Sequence, residues 1–209
     1  MKFRQYYIGV LVHPKRTFQT LLDDPRHLKF GLLALLINAV LYTLVYVFLT
    51  IGNGAPSVFV PWLGIPREVY YFYDRFLVAP SMFAGWILAA GIGQLLARLS
   101  GGKGSYEHLA ALFGFAISAA CLASLVHDLP DSFLGAVGVL DLREYEIILN
   151  SPTIWRGILL TLYSISFLWF IVLFTKAVEV AHGLRRGRAF VIGFVAYSAY
   201  QILFLVFNR

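Results

Sequence analysis

The chain has 209 residues, 59% of them hydrophobic and only 13% charged, a mean hydropathy of +0.75 and a net charge of +6. Soluble globular domains carry about one-quarter charged residues, so this composition excludes an ordinary soluble enzyme. The single cysteine, Cys121, excludes an intrachain disulfide and a Cys-based zinc site, and reads as a small apolar filler.

In chain order, residues 1–29 form a polar-to-amphipathic segment. Pro14 in a first-turn position, then Phe18, Leu21 and Leu22 with Lys15 and Arg16 opposite, predict a short amphipathic helix ended by Asp23-Asp24-Pro25. Its expected place is the inner membrane surface, where Phe3, Tyr6, Tyr7 and Ile8 extend the contact and Lys2 and Arg4 meet anionic headgroups. The first hydrophobic run is longer than the roughly 7 to 15 residues of a secretory signal, so it is expected to stay attached.

Five stretches then lack Asp, Glu, Lys and Arg altogether: residues 30–51, 76–97, 109–126, 157–175 and 189–207, each 18 to 22 residues long. A helix of about 20 residues rising 1.5 Å per residue crosses about 30 Å of hydrocarbon. Without strand-like alternation, only helices can satisfy such backbones in lipid. The expected fold is therefore all-α and integral to the membrane, a 30–209 domain of five transmembrane helices behind the 1–29 segment.

The connection after the first span carries Pro56, Pro61 and Pro66 with Trp62, Tyr70, Tyr71, Phe72 and Tyr73, which reads as an interfacial aromatic belt. The second span spaces Gly85, Ala89, Gly93 and Ala97 four residues apart, and the third does the same with Ala110, Gly114 and Ser118. Such ridges let backbones approach closely, so these two helices are expected to pack tightly. The loop between them, Ser100-Gly101-Gly102-Lys103-Gly104-Ser105, has no preceding strand and lacks the G-x-x-x-x-G-K-[ST] order, so it reads as a turn and not a phosphate cradle. After the third span come His127, Asp128, Asp131, Asp141, Glu144 and Glu146, read as a solvated acidic loop because their spacing is not that of a calcium loop. The fourth span runs past Lys176, Glu179 and His182 to a stop at Gly183, with Arg185, Arg186 and Arg188 pinning the interface.

With the N-terminus inside, the cytoplasmic segments hold twelve Lys and Arg residues and the outer ones five, which predicts a cytoplasmic N-terminus and an outer C-terminus. Basic loops of this kind report insertion and do not imply nucleic acid. No span has a charge near its middle. The groups Asn38, Gln94, Tyr163, Ser166 and Gln201 read first as hydrogen bonds between helices and second as a polar path. There is no H-E-x-x-H, no G-x-S-x-G, and the five histidines are scattered, so neither catalysis nor a cofactor is expected.

Three segments together resemble the Yip family, membrane proteins named for interacting with Ypt/Rab GTPases: Val12-His13-Pro14-Lys15-Arg16-Thr17-Phe18, Gly101-Gly102-Lys103-Gly104-Ser105-Tyr106, and the Trp155 span ending in His182-Gly183-Leu184 before Arg188-Ala189. The resemblance implies five spans with the N-terminus inside, and in eukaryotic relatives a role in vesicle trafficking through partner proteins. With 29 residues before its first span, the chain looks more like the short prokaryotic members, so a prokaryotic cytoplasmic membrane is its expected location. It departs from the family pattern in having no proline between Phe115 and Ala120, so no proline-driven kink is expected there.

These readings converge on a non-enzymatic scaffold or adaptor. Its lipid or partner contacts are expected at Lys15, Arg16, Phe18, Arg185, Arg186 and Arg188, and its partners are membrane lipids and a protein partner or second copy. The competing reading is a transporter or channel for a small solute or ion, using the polar path.

Overall fold

The computed structural model describes residues 1–56 and 63–208. Pro61, Trp62 and Arg209 of the sequence reading lie outside them. Among the described residues every regular element is a helix: α1 (Phe3–Val12), α2 (Pro14–Leu22), α3 (His27–Ile51), α4 (Arg67–Leu99), α5 (Tyr106–Ala120), α6 (Leu122–Ala136), α7 (Leu142–Asn150), α8 (Ile154–His182) and α9 (Arg186–Phe207). Four of these, α3, α4, α8 and α9, are long and apolar enough to cross a membrane, and α5 with α6, bent by 50°, passes the same test only as a pair, which gives four spans, or five where the pair counts as one. The chain is an integral, multi-pass helical membrane protein.

Several helices are longer than the uncharged stretches because charged residues at a span's ends can remain helical in the headgroup region. α4 reaches back to Arg67 and takes in Glu68, Asp74 and Arg75, while α8 runs on through Lys176 and Glu179 to His182. The bend between α5 and α6 falls at Cys121, where the sequence offers no proline and no kink was expected. Tyr7 holds Ser118 just before the break, Oη to Oγ 2.9 Å, and Tyr42 holds Ser124 just after it at 2.6 Å.

Helix ends are closed by backbone chemistry. After α4, Gly101 adopts φ +87°, its N–H donates to Arg98 O (3.0 Å), and Gly102 N–H donates to Ala97 O (2.8 Å). That is a Schellman cap, in which a left-handed residue turns two N–H groups back onto orphan carbonyls. Gly138 (φ +76°) ends α6 the same way, and Asn53 (φ 54°) ends α3. Gly183 (φ +67°) stops α8, as its position predicts. Ser105 caps α5 by accepting from His108 N–H.

The chain divides into two compact units, the first comprising Met1–Ile37, Phe83–Cys121 and Phe167–Gln201, the second Asn38–Met82, Leu122–Ser166 and Ile202–Arg209. In the first unit α5 is enclosed: every residue from Leu109 to Ala120 is buried. A helix apolar all round has no solvent face and belongs in a core. Glycines permit this enclosure. A side chain at Gly114 would run into the Gly31 backbone of α3, and one at Gly31 into Ala111 of α5. Phe113 stacks on Phe174 of α8 at 4.1 Å between centroids, and Phe170 stacks on Tyr197 of α9 at 5.0 Å.

In the second unit, α6 and α7 fold together where Gly135 receives the Leu142 side chain, and Asp141 caps α7 by accepting from Arg143 N–H and Glu144 N–H.

Replacing Gly114 by Val should lower the thermal midpoint in detergent, because overpacking a filled contact costs about 1–3 kcal/mol. Gly91→Ala, at a position with open space around it, is the control and should leave the midpoint unchanged or slightly raised.

Candidate functional site

Two of the segments that carry the family resemblance, and the His182 end of the third, lie in the first unit. In α2, Pro14 occupies the first turn, and Lys15 Nζ reaches across to Glu179 Oε1 of α8 at 2.6 Å. Lys176 Nζ donates to the other oxygen of the same carboxylate at 2.8 Å. One negative charge thus serves two lysines, leaving the pair of contacts net positive. The glycine-rich loop lies against the end of α8. A side chain at Gly104 would strike the Ala181 carbonyl, one at Gly102 would sit 2.9 Å from His182, and Lys103 N–H donates to His182 O at 3.3 Å. Gln94 Nε2 donates to Gly104 O (3.2 Å), tying the loop to α4. Each glycine therefore has a mechanical reason: Gly101 turns the chain, while Gly102 and Gly104 let backbone pack on His182.

Around this junction Arg16, Arg185, Arg186 and Arg188 are exposed, and Arg188 Nη1 donates to Ser100 O at 3.3 Å. The face is basic and wet, suited to meeting anionic groups.

The N-terminal helices form a hairpin docked on protein. α1 packs on α2 and α5; Phe3 lies 5.7 Å from Phe115 between ring centroids, and Tyr6 and Val10 are buried. The hairpin is locked by a buried Asp24, whose carboxylate accepts from Arg26 Nε and N–H, from Arg26 Nη2, and from Tyr6 Oη. These donors, the Arg26 hydrogen bonds foremost, hold the Asp24 carboxyl well below the usual carboxylate range. Burial, followed by the nearby Asp24 charge, pushes the Tyr6 phenol up.

A family model for the Yip1 domain matches residues 8–207. The chain belongs to the Yip family. No curated protein and no solved structure matches it.

For this Yip chain the basic residues expected from sequence separate by environment. Lys15 and Arg16 lie on α2 and Arg185, Arg186 and Arg188 where α8 gives way to α9, all of them exposed, Lys15 by about half. Phe18 does not belong with them: its side chain is fully buried beside Leu21 and cannot reach a lipid or partner. The apolar face of α2 is spent on the protein, because Thr17, Phe18 and Leu21 all point inward. The expectation of a helix laid on the membrane surface is corrected accordingly.

The small-residue ridges are buried, yet they serve more neighbours than each other. Gly93 packs on Leu109 and Phe113 of α5, as expected, whereas a methyl at Gly85 would lie 2.9 Å from Tyr200 of α9. Gly114 meets α3, not α4. Ala89 and Ser118 are buried, and the Ala110 carbonyl accepts from Trp86 Nε1 at 2.8 Å.

The polar-path residues are divided. Gln94 and Gln201 fall in the first unit; Asn38, Tyr163 and Ser166 fall in the second. Asn38 Nδ2 donates to Met82 Sδ (3.6 Å) and Tyr163 Oη to Asp128 Oδ1 (3.0 Å).

What sequence reading missed lies in the second unit of the Yip chain. The acidic run is not a solvated loop throughout: Asp141 and Glu144 are exposed at the start of α7, but the others are drawn into contacts between helices. His127, Asp128 and Asp131 sit on α6, partly buried, with His127 Nδ1 3.2 Å from Asp128 and Nε2 3.1 Å from Asp131. Tyr145 of α7 donates to Asp131 (2.9 Å), and Tyr71 donates to a buried Glu146 (3.1 Å). Burial and the bond to Asp131 push the Tyr145 phenol up. Tyr71 upstream and Tyr163 downstream were the available signal, the one read as part of an interfacial belt and the other as a polar-path residue. Asp74, fully buried in α4, fell just outside the uncharged stretch.

Because the Asp24 carboxyl titrates below its ordinary value of 3.8, its contribution is present above that value and is lost as pH falls through the lower folded pKa. Pepsin cleavage within residues 1–29 should rise for the native chain as pH drops from 4.5 to 2.5, by a rough reckoning from carboxylate linkage. Asp24→Asn should be cleaved readily across that range, with little further change.

Proposed function

We propose that this Yip-family protein is a non-enzymatic membrane scaffold whose basic face, built by α2, α8 and α9, engages anionic membrane lipid or an acidic partner protein. The observation that carries this reading is the shared carboxylate: Glu179 accepts from both Lys15 and Lys176, so it positions the cations without cancelling them. The exposed Arg16, Arg185 and Arg188 extend that charge. The N-terminal hairpin contributes by fixing Lys15 on the face, since the buried Phe18 and Leu21 anchor α2. The positive-inside pattern supports a cytoplasmic place for this face.

The test replaces Lys15, Arg16, Arg185 and Arg188 with Gln and measures flotation with anionic liposomes alongside recovery of co-purifying protein. Binding should fall by about tenfold or more, at roughly 1 kcal/mol for each basic residue near an anionic surface, and in native protein it should weaken with salt. Unchanged values in both assays would remove the scaffold reading.

One observation favours the alternative, transport of a small solute or ion: Asp74 is fully buried inside a span-length helix, and ionisable groups at such sites mark ion pathways. Proteoliposomes give the decision. Flux above that of empty vesicles, abolished by Asp74→Asn, would establish transport, and flux equal to empty vesicles would discard it.

A further inference from the structure

Where the glycine-rich loop meets the end of α8, the first unit buries polar atoms that have no partner. His182 is 4% exposed, and neither of its ring nitrogens finds a hydrogen bond among the described residues. A neutral imidazole carries one donor and one acceptor, and here both are idle. Gln94 Oε1, on the amide that donates to Gly104 O, is buried and unbonded as well. The loop lies on this histidine as bare backbone: a Cβ at Gly102 would come 2.9 Å from His182 Nδ1 and one at Gly104 3.1 Å, while Lys103 N–H donates to His182 O at 3.3 Å. Native structures leave few buried polar atoms unpaired, so a seam that holds His182 Nδ1, His182 Nε2 and Gln94 Oε1 gains hydrogen bonds to water when it opens.

The charges around the ring do not favour a proton on it. Arg98 of α4 and His108 of α5 act on it electrostatically, Lys103 stands exposed in the loop, and His27 of α3 packs its ring on His108 at 5.0 Å between centroids. On α8 itself Glu179 lies one turn back, but its two oxygens are taken by Lys15 and Lys176, and Glu107 of α5 is exposed. After the turn at Gly183, Arg185 and Arg188 are exposed too. A proton added to the closed ring therefore has no acceptor to meet and stands beside cations. His182 lies past the uncharged stretch 157–175, and burial first, then Arg98 and His108, hold its imidazole below the ordinary 6.5.

We propose that the glycine-rich loop is a proton-released latch: it closes on neutral His182 and lifts from the end of α8 when that imidazole takes up a proton. In the lifted state the ring is in water and changes charge in the ordinary histidine range. The closed state binds the proton less readily, so its advantage is complete above pH 6.5 and is lost as pH falls from there through the lower folded value. The loop is the part that yields. Its grip on α8 is a 3.3 Å backbone bond and close glycine contacts, whereas α5 behind it is enclosed along its length. Arg188 Nη1 holds Ser100 O at the root of the loop, so lifting changes the shape of the basic face. The latch is independent of what that face binds.

The experiment is hydrogen–deuterium exchange of the full chain in detergent between about pH 7.5 and 5.5, read as the protection factor of the Lys103 amide so that the intrinsic pH dependence of exchange cancels. Protection in the native chain should fall severalfold over that range, with about tenfold as the ceiling set by an ordinary imidazole in the lifted state. His182→Phe, which fills the site without a titrating group, should keep the amide protected and make its profile flat. Arg98→Gln, at an exposed position, should leave the fold intact and lessen the fall, because the closed ring then accepts a proton more easily. His27→Gln with His108→Gln should still show a fall. A flat native profile, a fall of native size in His182→Phe, an undiminished fall in Arg98→Gln, or a flat profile in the His27 and His108 double variant would overturn the proposal. So would an equal loss of protection at amides inside α5, which would mark unfolding of the unit and not release of the loop.

Discussion

Gly31 and Gly114 meet backbone to backbone, and the first unit depends on that contact. Lipid tails are as apolar as the side chains of a helix, so burial from lipid offers no hydrophobic drive, and helices must gain their association from close dispersion contact. Dispersion decays over fractions of an ångström. A helix such as α5, enclosed from Leu109 to Ala120, can exist only if its neighbours come near enough to fill every side. α3 does so at glycine, α4 at Gly93, and α8 through the Phe113–Phe174 stack. The N-terminal hairpin completes the enclosure with Phe3 and Tyr7.

Polar chemistry is placed where packing leaves room for it. The glycine-rich loop is a Schellman turn followed by a backbone surface for His182, which explains three glycines through two demands, a left-handed turn and close packing. The N-terminal hairpin is closed by Asp24, Arg26 and Tyr6, and it delivers Lys15 to Glu179. Stretches far apart in sequence thus meet where Lys15 reaches Glu179 and the glycine-rich loop packs on His182. In the second unit, carboxylates of α6 and α7 play the corresponding role, accepting from tyrosines of α4, α7 and α8 and joining helix to helix through buried and part-buried hydrogen bonds.

Much of the helix layout was legible in the amino-acid order, for a plain reason. Long uncharged runs reflect a one-dimensional constraint, the thickness of hydrocarbon, which acts on each segment alone. Gly183 as a stop and Pro14 as a start are equally local. The errors were of another kind. Phe18 sits on what looked like a membrane-facing stripe, yet the same amphipathic pattern serves a helix that docks on protein, and periodicity does not name the partner. The run from His127 to Glu146 looked like a solvated loop because its charges are spaced unlike any metal loop, and nothing in their spacing reveals that tyrosines from other helices bond to them. The bend at Cys121 has no proline to announce it.

The sequence by itself determined that the chain is helical, that it lives in a membrane, and that its charge is displaced towards the ends of its spans. It also carried the family resemblance, since those residues are tied to local turns and stops. Only the tertiary structure decided which glycine faces which helix, where the amphipathic N-terminus spends its apolar side, and that one carboxylate, Glu179, serves both Lys15 and Lys176. The division has a physical cause: transfer into lipid is settled segment by segment, whereas contact between helices depends on distances of a few tenths of an ångström that no single segment contains.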